Sequence, residues 1–127
     1  MKLDINCVRD VLLEIEEFPL GYQPLDSFKK SIQKHGELNV LYTLYKLHEG
    51  KYINAEIGLD EGGFPHCMAV YNMTFQGHEF LNSVRSPGVW EQLSGAASEG
   101  GTACLKVVGD IAIDITKEAL KAKFGFK

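Results

Sequence analysis

The chain reads as an α+β protein, a winged helix-turn-helix with additional C-terminal helices. Three observations predict this. The stretch from Leu38 to Gly50 has helical periodicity with two unlike faces. A short helical stretch and Gly36 precede it, and two strand-like stretches joined by a glycine-rich loop follow. The basic side chains gather in the part of the chain where such a motif meets its partner.

Each element has its own local reason. Residues 5–17 form the first helix, with Asn6 as its N-cap and Val8, Val11, Leu12 and Ile15 as its buried stripe. Asp10, Glu14 and Glu17 then fall on the outer face, which makes this helix structural. Two prolines and a glycine between Phe18 and Leu25 break it, leaving room for a short strand at 21–23. Asp26 is placed to cap a second helix from Ser27 to His35, with Phe28 and Ile32 inward, and Gly36 supplies the turn. In the third helix Val40, Leu41, Leu44 and Leu47 point to the core. Asn39, Tyr42, Thr43 and Lys46 share the solvent face, and Gly50 is the expected C-cap.

Residues 52–58 and 66–74 read as strands of a hairpin. In the second, Cys67, Ala69, Tyr71 and Met73 face one side, Met68 and Val70 the other. The loop between them carries Asp60 and Glu61, which suits no phosphate contact. Thr74 caps a fourth helix to Arg85, in which Gly77 marks a close approach to a neighbour. Its Phe80, Leu81 and Val84 are expected to pack over helix one. Pro87 opens a helix with Val89, Trp90 and Leu93 that looks short, ending at Gly95, and residues 99–101 read as a hinge. Residues 102–123 form the longest helix, apolar at Leu105, Val108, Ile111 and Ile115, the expected dimer interface. The expected domains are therefore a winged helix over 1–86 and a helical extension over 87–127, packed on it or used for dimerisation.

Composition sets the class. At 127 residues, 45% hydrophobic and 24% charged, the chain can build a core without disulfides or metal. No apolar run reaches the roughly 20 residues that span a bilayer, and the first residues lack signal-peptide character. A cytoplasmic protein with no membrane partner is expected. Cys7, Cys67 and Cys104 are odd in number and widely spaced, the pattern of buried free thiols.

The formal charge of −4 is unevenly spread. Residues 1–26 set Lys2 and Arg9 against six acids, a net −4, and residues 53–127 are net −3. Residues 27–52 set Lys29, Lys30, Lys34, Lys46 and Lys51 against Glu37 and Glu49, a net +3. With the amide, phenol and hydroxyl of Asn39, Tyr42 and Thr43, those lysines make the expected DNA-binding set, suited to base edges and phosphates.

Four blocks then resemble a family. Met1–Glu17, Val40–Leu47, Met73–Leu81 and Val89–Trp90 are similar, in order, to small bacterial, phage and prophage proteins grouped as domain of unknown function 2513. The resemblance implies a winged-helix fold and a phage or mobile-element origin, and no activity. This chain has Thr43 where that family often has His.

Two functions fit. One is a DNA-binding transcription regulator, acting on double-stranded DNA as a homodimer through residues 38–49. The alternative is a protein-interaction module on the same scaffold, with a host or phage protein as partner; the acidic loop and net charge favour it. An enzyme is not expected. The chain has no Gly-x-Ser-x-Gly, phosphate-binding loop or His-Glu-x-x-His, and His78 and Glu79 are adjacent on a helix and so do not face each other. No cofactor or metal site is expected, and His35 and His48 read as solvated or as neighbours of phosphate.

Overall fold

The computed structural model describes residues 1–100, 113–118, 120 and 121, without the side chains of 68 and 94–100. The chain is α+β and divides into two units, Met1–His78 and Glu79–Lys127. The elements in order are α1 (Ile5–Glu17), a 3-10 turn (Leu25–Ser27), α2 (Lys29–His35), α3 (Glu37–Glu49), β1 (Ile53–Leu59), β2 (Pro65–Met73), α4 (Phe75–Val84) and α5 (Pro87–Gly100).

In the first unit α1 buries Val8, Val11, Leu12 and Ile15, as its periodicity predicts, together with Cys7. Its cap is Asp4 rather than Asn6. The backbone of Asp4 is extended and its Oδ1 accepts from the amides of Asn6 (2.9 Å) and Cys7 (3.4 Å). After α1, Phe28 is fully buried and meets Phe18 edge-on, with ring centroids 5.1 Å apart.

The start of α2 differs from expectation. Asp26 lies in the 3-10 turn and does not cap a helix; α2 begins at Lys29, and no side chain of its own N-cap residue, Phe28, serves it. Its free amides are met instead from α1. Glu14, expected outside, is 6% exposed and accepts from Lys30 N (3.1 Å) and Ser31 N (3.0 Å). A carboxylate is the group that the positive end of a helix favours. Ser31 is the buried residue of α2, and Ile32 is only half-buried.

Gly36 alone joins α2 to α3, at φ +87°, where a side chain would be strained. α3 packs against α1, α2, β1 and β2 and buries Val40, Leu41, Leu44 and Leu47 as predicted. Each such aliphatic side chain contributes about 1.5–3 kcal/mol on leaving water. α3 ends at Gly50, but the left-handed residue is Lys51, at φ +66°. Lys51 N bonds to His48 O and Tyr52 N to Leu47 O, the two closing bonds of a Schellman turn. Gly50 matters for another reason: a Cβ there would press on the Tyr52 ring at 3.2 Å.

β1 and β2 form the expected antiparallel hairpin, and Gln23 adds a bridge to Val70 through bonds of 2.9 and 2.8 Å. The two faces of β2 do not alternate as predicted. The register jumps between Asn54 and Ala55 and again between Glu56 and Ile57, so β2 carries an extra residue at each jump, Tyr71 and then Met68. Between the two jumps Ala69 and Val70 are both buried.

Thr74 caps α4 as expected, its Oγ1 accepting from Gly77 N at 3.1 Å while donating to Lys51 O at 2.7 Å. In the second unit Phe80, Leu81, Val84, Val89 and Leu93 are buried. α5 is not short: it runs 14 residues and takes in Gly95 and the first two residues of the expected hinge, Glu99 and Gly100. Residues 113–118 are helical, with Ile113 exposed and Ile115 half-buried. The expected dimer residues Leu105, Val108 and Ile111 lie outside the described residues, as does Cys104. No helix among the described residues is long and apolar enough to cross a membrane.

Candidate functional site

The outer face of α3 is centred on Leu38, Tyr42, Tyr45 and Glu49, with Asn39 and Lys46 at its flanks. Thr43 is not on it. Its relative exposure is 0%, which corrects the surface position and with it the DNA-contact role expected for this residue. The reason is that α3 touches four elements, so its buried arc spans roughly 160° at helical pitch and Thr43 falls within it.

Thr43 Oγ1 has no hydrogen bond of good geometry, although the Cys7 thiol is close enough to feel it. Thr43→Val is therefore expected to be neutral or stabilising, by up to about 1 kcal/mol, because it removes a buried hydroxyl without a partner. Urea denaturation reads this. A loss above about 1 kcal/mol would show that the hydroxyl is satisfied after all.

The first residues of the chain lie over what remains of the face. Tyr42 Oη donates to the carbonyl of Met1 at 3.0 Å, and Asn39 Nδ2 donates to Asp4 Oδ2 at 3.2 Å. Asp4 thus joins two elements, capping α1 with one oxygen and holding α3 with the other. Beneath it His35, 9% exposed at its side chain, sets Nε2 2.7 Å from Asp10 Oδ2 and Nδ1 4.0 Å from Asp4 Oδ2. His35 is thereby a strut between carboxylates and is not solvated as expected.

Most of the expected phosphate contacts face acids of the same chain. Lys30 Nζ lies 2.8 Å from Glu17, Lys34 Nζ 3.0 Å from Asp10, and Lys46 Nζ 3.1 Å from Glu49, near the rings of Tyr45 and Tyr42. Exposed pairs of this kind add little stability, up to about 1 kcal/mol each. Their larger effect is on the field, since each cation has a carboxylate beside it. Among the described residues, Lys29 and Lys51 have no such partner.

Burial pushes the Asp10 carboxyl up, but hydrogen bonds from His35 and Lys34, with their charges, outweigh it and hold the group below its ordinary value. Its stabilisation is present above the unfolded carboxylate range, near pH 4, and is lost as pH falls through the lowered folded value. Asp10→Asn is accordingly expected to flatten the fall in melting temperature below about pH 4. An unchanged acid limb would mean that the His35–Asp10–Lys34 cluster contributes nothing.

The hairpin is the other exposed feature. Residues 58–64 are all exposed, and they include Leu59 (53%) and Phe64 (51%) beside Asp60 and Glu61. Asp60 builds the turn: its Oδ1 accepts from Gly62 N (2.9 Å) and Phe64 N (2.8 Å), and its backbone pairs with Phe64 and Gly63. Behind the tip, Tyr71 Oη donates to Glu56 at 2.6 Å and Asn54 bonds Asn72 at 2.7 Å. An open groove of about 690 Å³ runs between the end of α3 and the hairpin, lined by His48, Lys51, Asn54, Tyr71 and Thr74 among others. Leu59 and Phe64 had a readable signal, two large apolar residues flanking a turn sequence.

Burial pushes Cys7 and Cys67 up to about 11, so both stay thiols at neutral pH, poor nucleophiles. Among the described residues no three His, Cys, Asp or Glu side chains are grouped to hold a metal ion. A family model described as Hypothetical protein (DUF2513) matches residues 2–103. No curated protein and no solved structure matches the chain.

Proposed function

We propose that this chain, which belongs to the DUF2513 family, is a protein-interaction module built on a winged-helix scaffold. The winged-helix reading rests on connectivity. A one-residue strand at Gln23 lies between α1 and α2 and pairs with the second hairpin strand, and a single glycine separates α2 from α3.

The observation that carries the choice of partner is the closed, neutralised face of α3. The chain's own first residues occupy Asn39 and Tyr42, and Lys30, Lys34 and Lys46 each face a carboxylate. Residues 1–78 hold seven Lys and Arg against eleven Asp and Glu, so the unit that would meet DNA is net −4. Duplex DNA presents one negative charge per roughly 1.7 Å, and affinity comes largely from counterions released by cations. With Lys2, the unpartnered Lys29 and Lys51 would support a log–log salt slope of only about −3, against six to ten phosphate contacts in a strong binder.

The expected result is that fluorescence anisotropy with random and self-genomic duplexes shows no binding tighter than about 10⁻⁴ M, even near 50 mM salt. The second reading, a DNA-binding regulator, draws on the same connectivity and on Lys29 at the start of α2 and Lys51 after α3. Micromolar binding that weakens steeply with salt, and is abolished by Lys30→Glu with Lys46→Glu, would replace the first reading with the second.

A further inference from the structure

The stretch from Ile53 to Met73 contains no lysine or arginine and carries Glu56, Asp60 and Glu61. Its tip is the unusual part. A solvated turn is ordinarily polar and mobile, whereas this one shows two large apolar side chains, each about half exposed, on a backbone that is tied down. The Asp60 carboxylate holds two backbone amides, the Asp60 and Phe64 backbones are paired at 2.9 Å, and Gly63 takes φ +80° to let the chain close. The last strand pair, Leu59 opposite Pro65, fixes where both apolar groups emerge. Holding Phe64 and Leu59 in place before binding removes much of the ordering cost that a floppy loop would meet on association.

Taking the interaction-module reading as its basis, we infer that the hairpin tip is the docking arm, and that its partner is a protein presenting an apolar pocket rimmed by lysine or arginine. Phe64 is the anchor and Leu59 packs beside it. Glu61, with Asp60 behind it, meets the basic rim. Charge complementarity selects this occupant. Nucleic acid and anionic membrane surfaces are repelled by an acidic tip without cations, while a basic rim is attracted and steered toward it. Anchors of this kind, a buried aromatic ringed by polar contacts, carry most of the affinity of small interfaces.

The test uses the full chain and a displayed library of disulfide-closed random 12-residue peptides, with selected peptides measured by anisotropy. Enrichment of Lys or Arg around apolar residues is expected. The best peptide should bind Phe64→Ser with roughly tenfold or greater loss. Glu61→Lys should cost several-fold and lose most of the salt dependence. Glu61 is exposed and Phe64 about half exposed, so Phe64→Ser should keep the wild-type melting temperature within about 2 °C; Leu59→Ser is a second variant should it fail to fold. Peptides that bind wild type, Phe64→Ser and Leu59→Ser equally would overturn the docking arm and leave the interaction reading standing. A library that yields no binder to the wild type would remove both. Sedimentation showing self-association lost in Phe64→Ser would overturn the heterologous partner, because the occupant would be a second copy.

Discussion

Gly77→Ala is expected to destabilise the protein by about 3 kcal/mol or more, the mark of overpacking against backbone. In an exposed helix the same change gains about 1 kcal/mol in helix propensity. Here the added Cβ would collide with the carbonyl oxygen of Tyr52 and press on Met73 Cγ at 3.0 Å. The carbonyl cannot step aside cheaply, because it accepts from Thr74 N at 3.0 Å. Thr74 Oγ1 meanwhile bonds both Lys51 O and Gly77 N. The start of α4 and the corner after α3 are thus sewn together across the site of the clash. Gly88→Ala is the control: nothing lies nearer than Ser86 Oγ at 3.9 Å, so it should be neutral or stabilising. Thermal melts of both variants read the difference, and a Gly77→Ala protein as stable as wild type would remove the close approach.

Glu14→Ala carries the second large effect, a loss of roughly 3 kcal/mol. Two amides of α2 lose a charged acceptor, each bond to a charged group contributing about 1.5–3 kcal/mol, and the amide of Ser31 is left buried without a partner. For a chain of this size that corresponds to a fall of roughly 10 °C in melting temperature. Glu14→Gln keeps one acceptor oxygen and should cost less than half as much. If the two substitutions cost the same, the carboxylate acts by filling space and not by capping α2.

The helices and the hairpin were legible because their causes are local. The stripe at Val8, Val11, Leu12 and Ile15 and the turn at Gly36 each rest on residues near in sequence, while Gly77 was readable from its residue type although the backbone it approaches is that of Tyr52. Glu14 was not legible by that route, since a carboxylate at the margin of an amphipathic helix looks solvated. A signal was nonetheless present. Asp10, Glu14 and Glu17 on α1 mirror Lys34, Ser31 and Lys30 on α2, the spacing of two antiparallel helices matched along one seam. Reading that ladder would also have shown that Lys30 and Lys34 face α1. Thr43 was misplaced for a tertiary reason: one stripe suits a helix with one neighbour, and α3 has several. The C-cap shows the limit of residue-type rules, because glycine sits at the expected place while Lys51, one residue on, takes the left-handed turn.

The hydrogen bonds from Tyr42 to Met1 and from Asn39 to Asp4 make the first residues an intramolecular competitor for α3. With about 1 kcal/mol net for each bond, the uncovered state is a minority of a few per cent. A ligand that needs Tyr42 and Asn39 then binds some thirtyfold more weakly than its contacts alone would allow. Removing residues 1–3 takes away the Met1 bond and leaves that of Asp4, so it should restore about fivefold for such a ligand and leave a ligand of the hairpin tip unaffected.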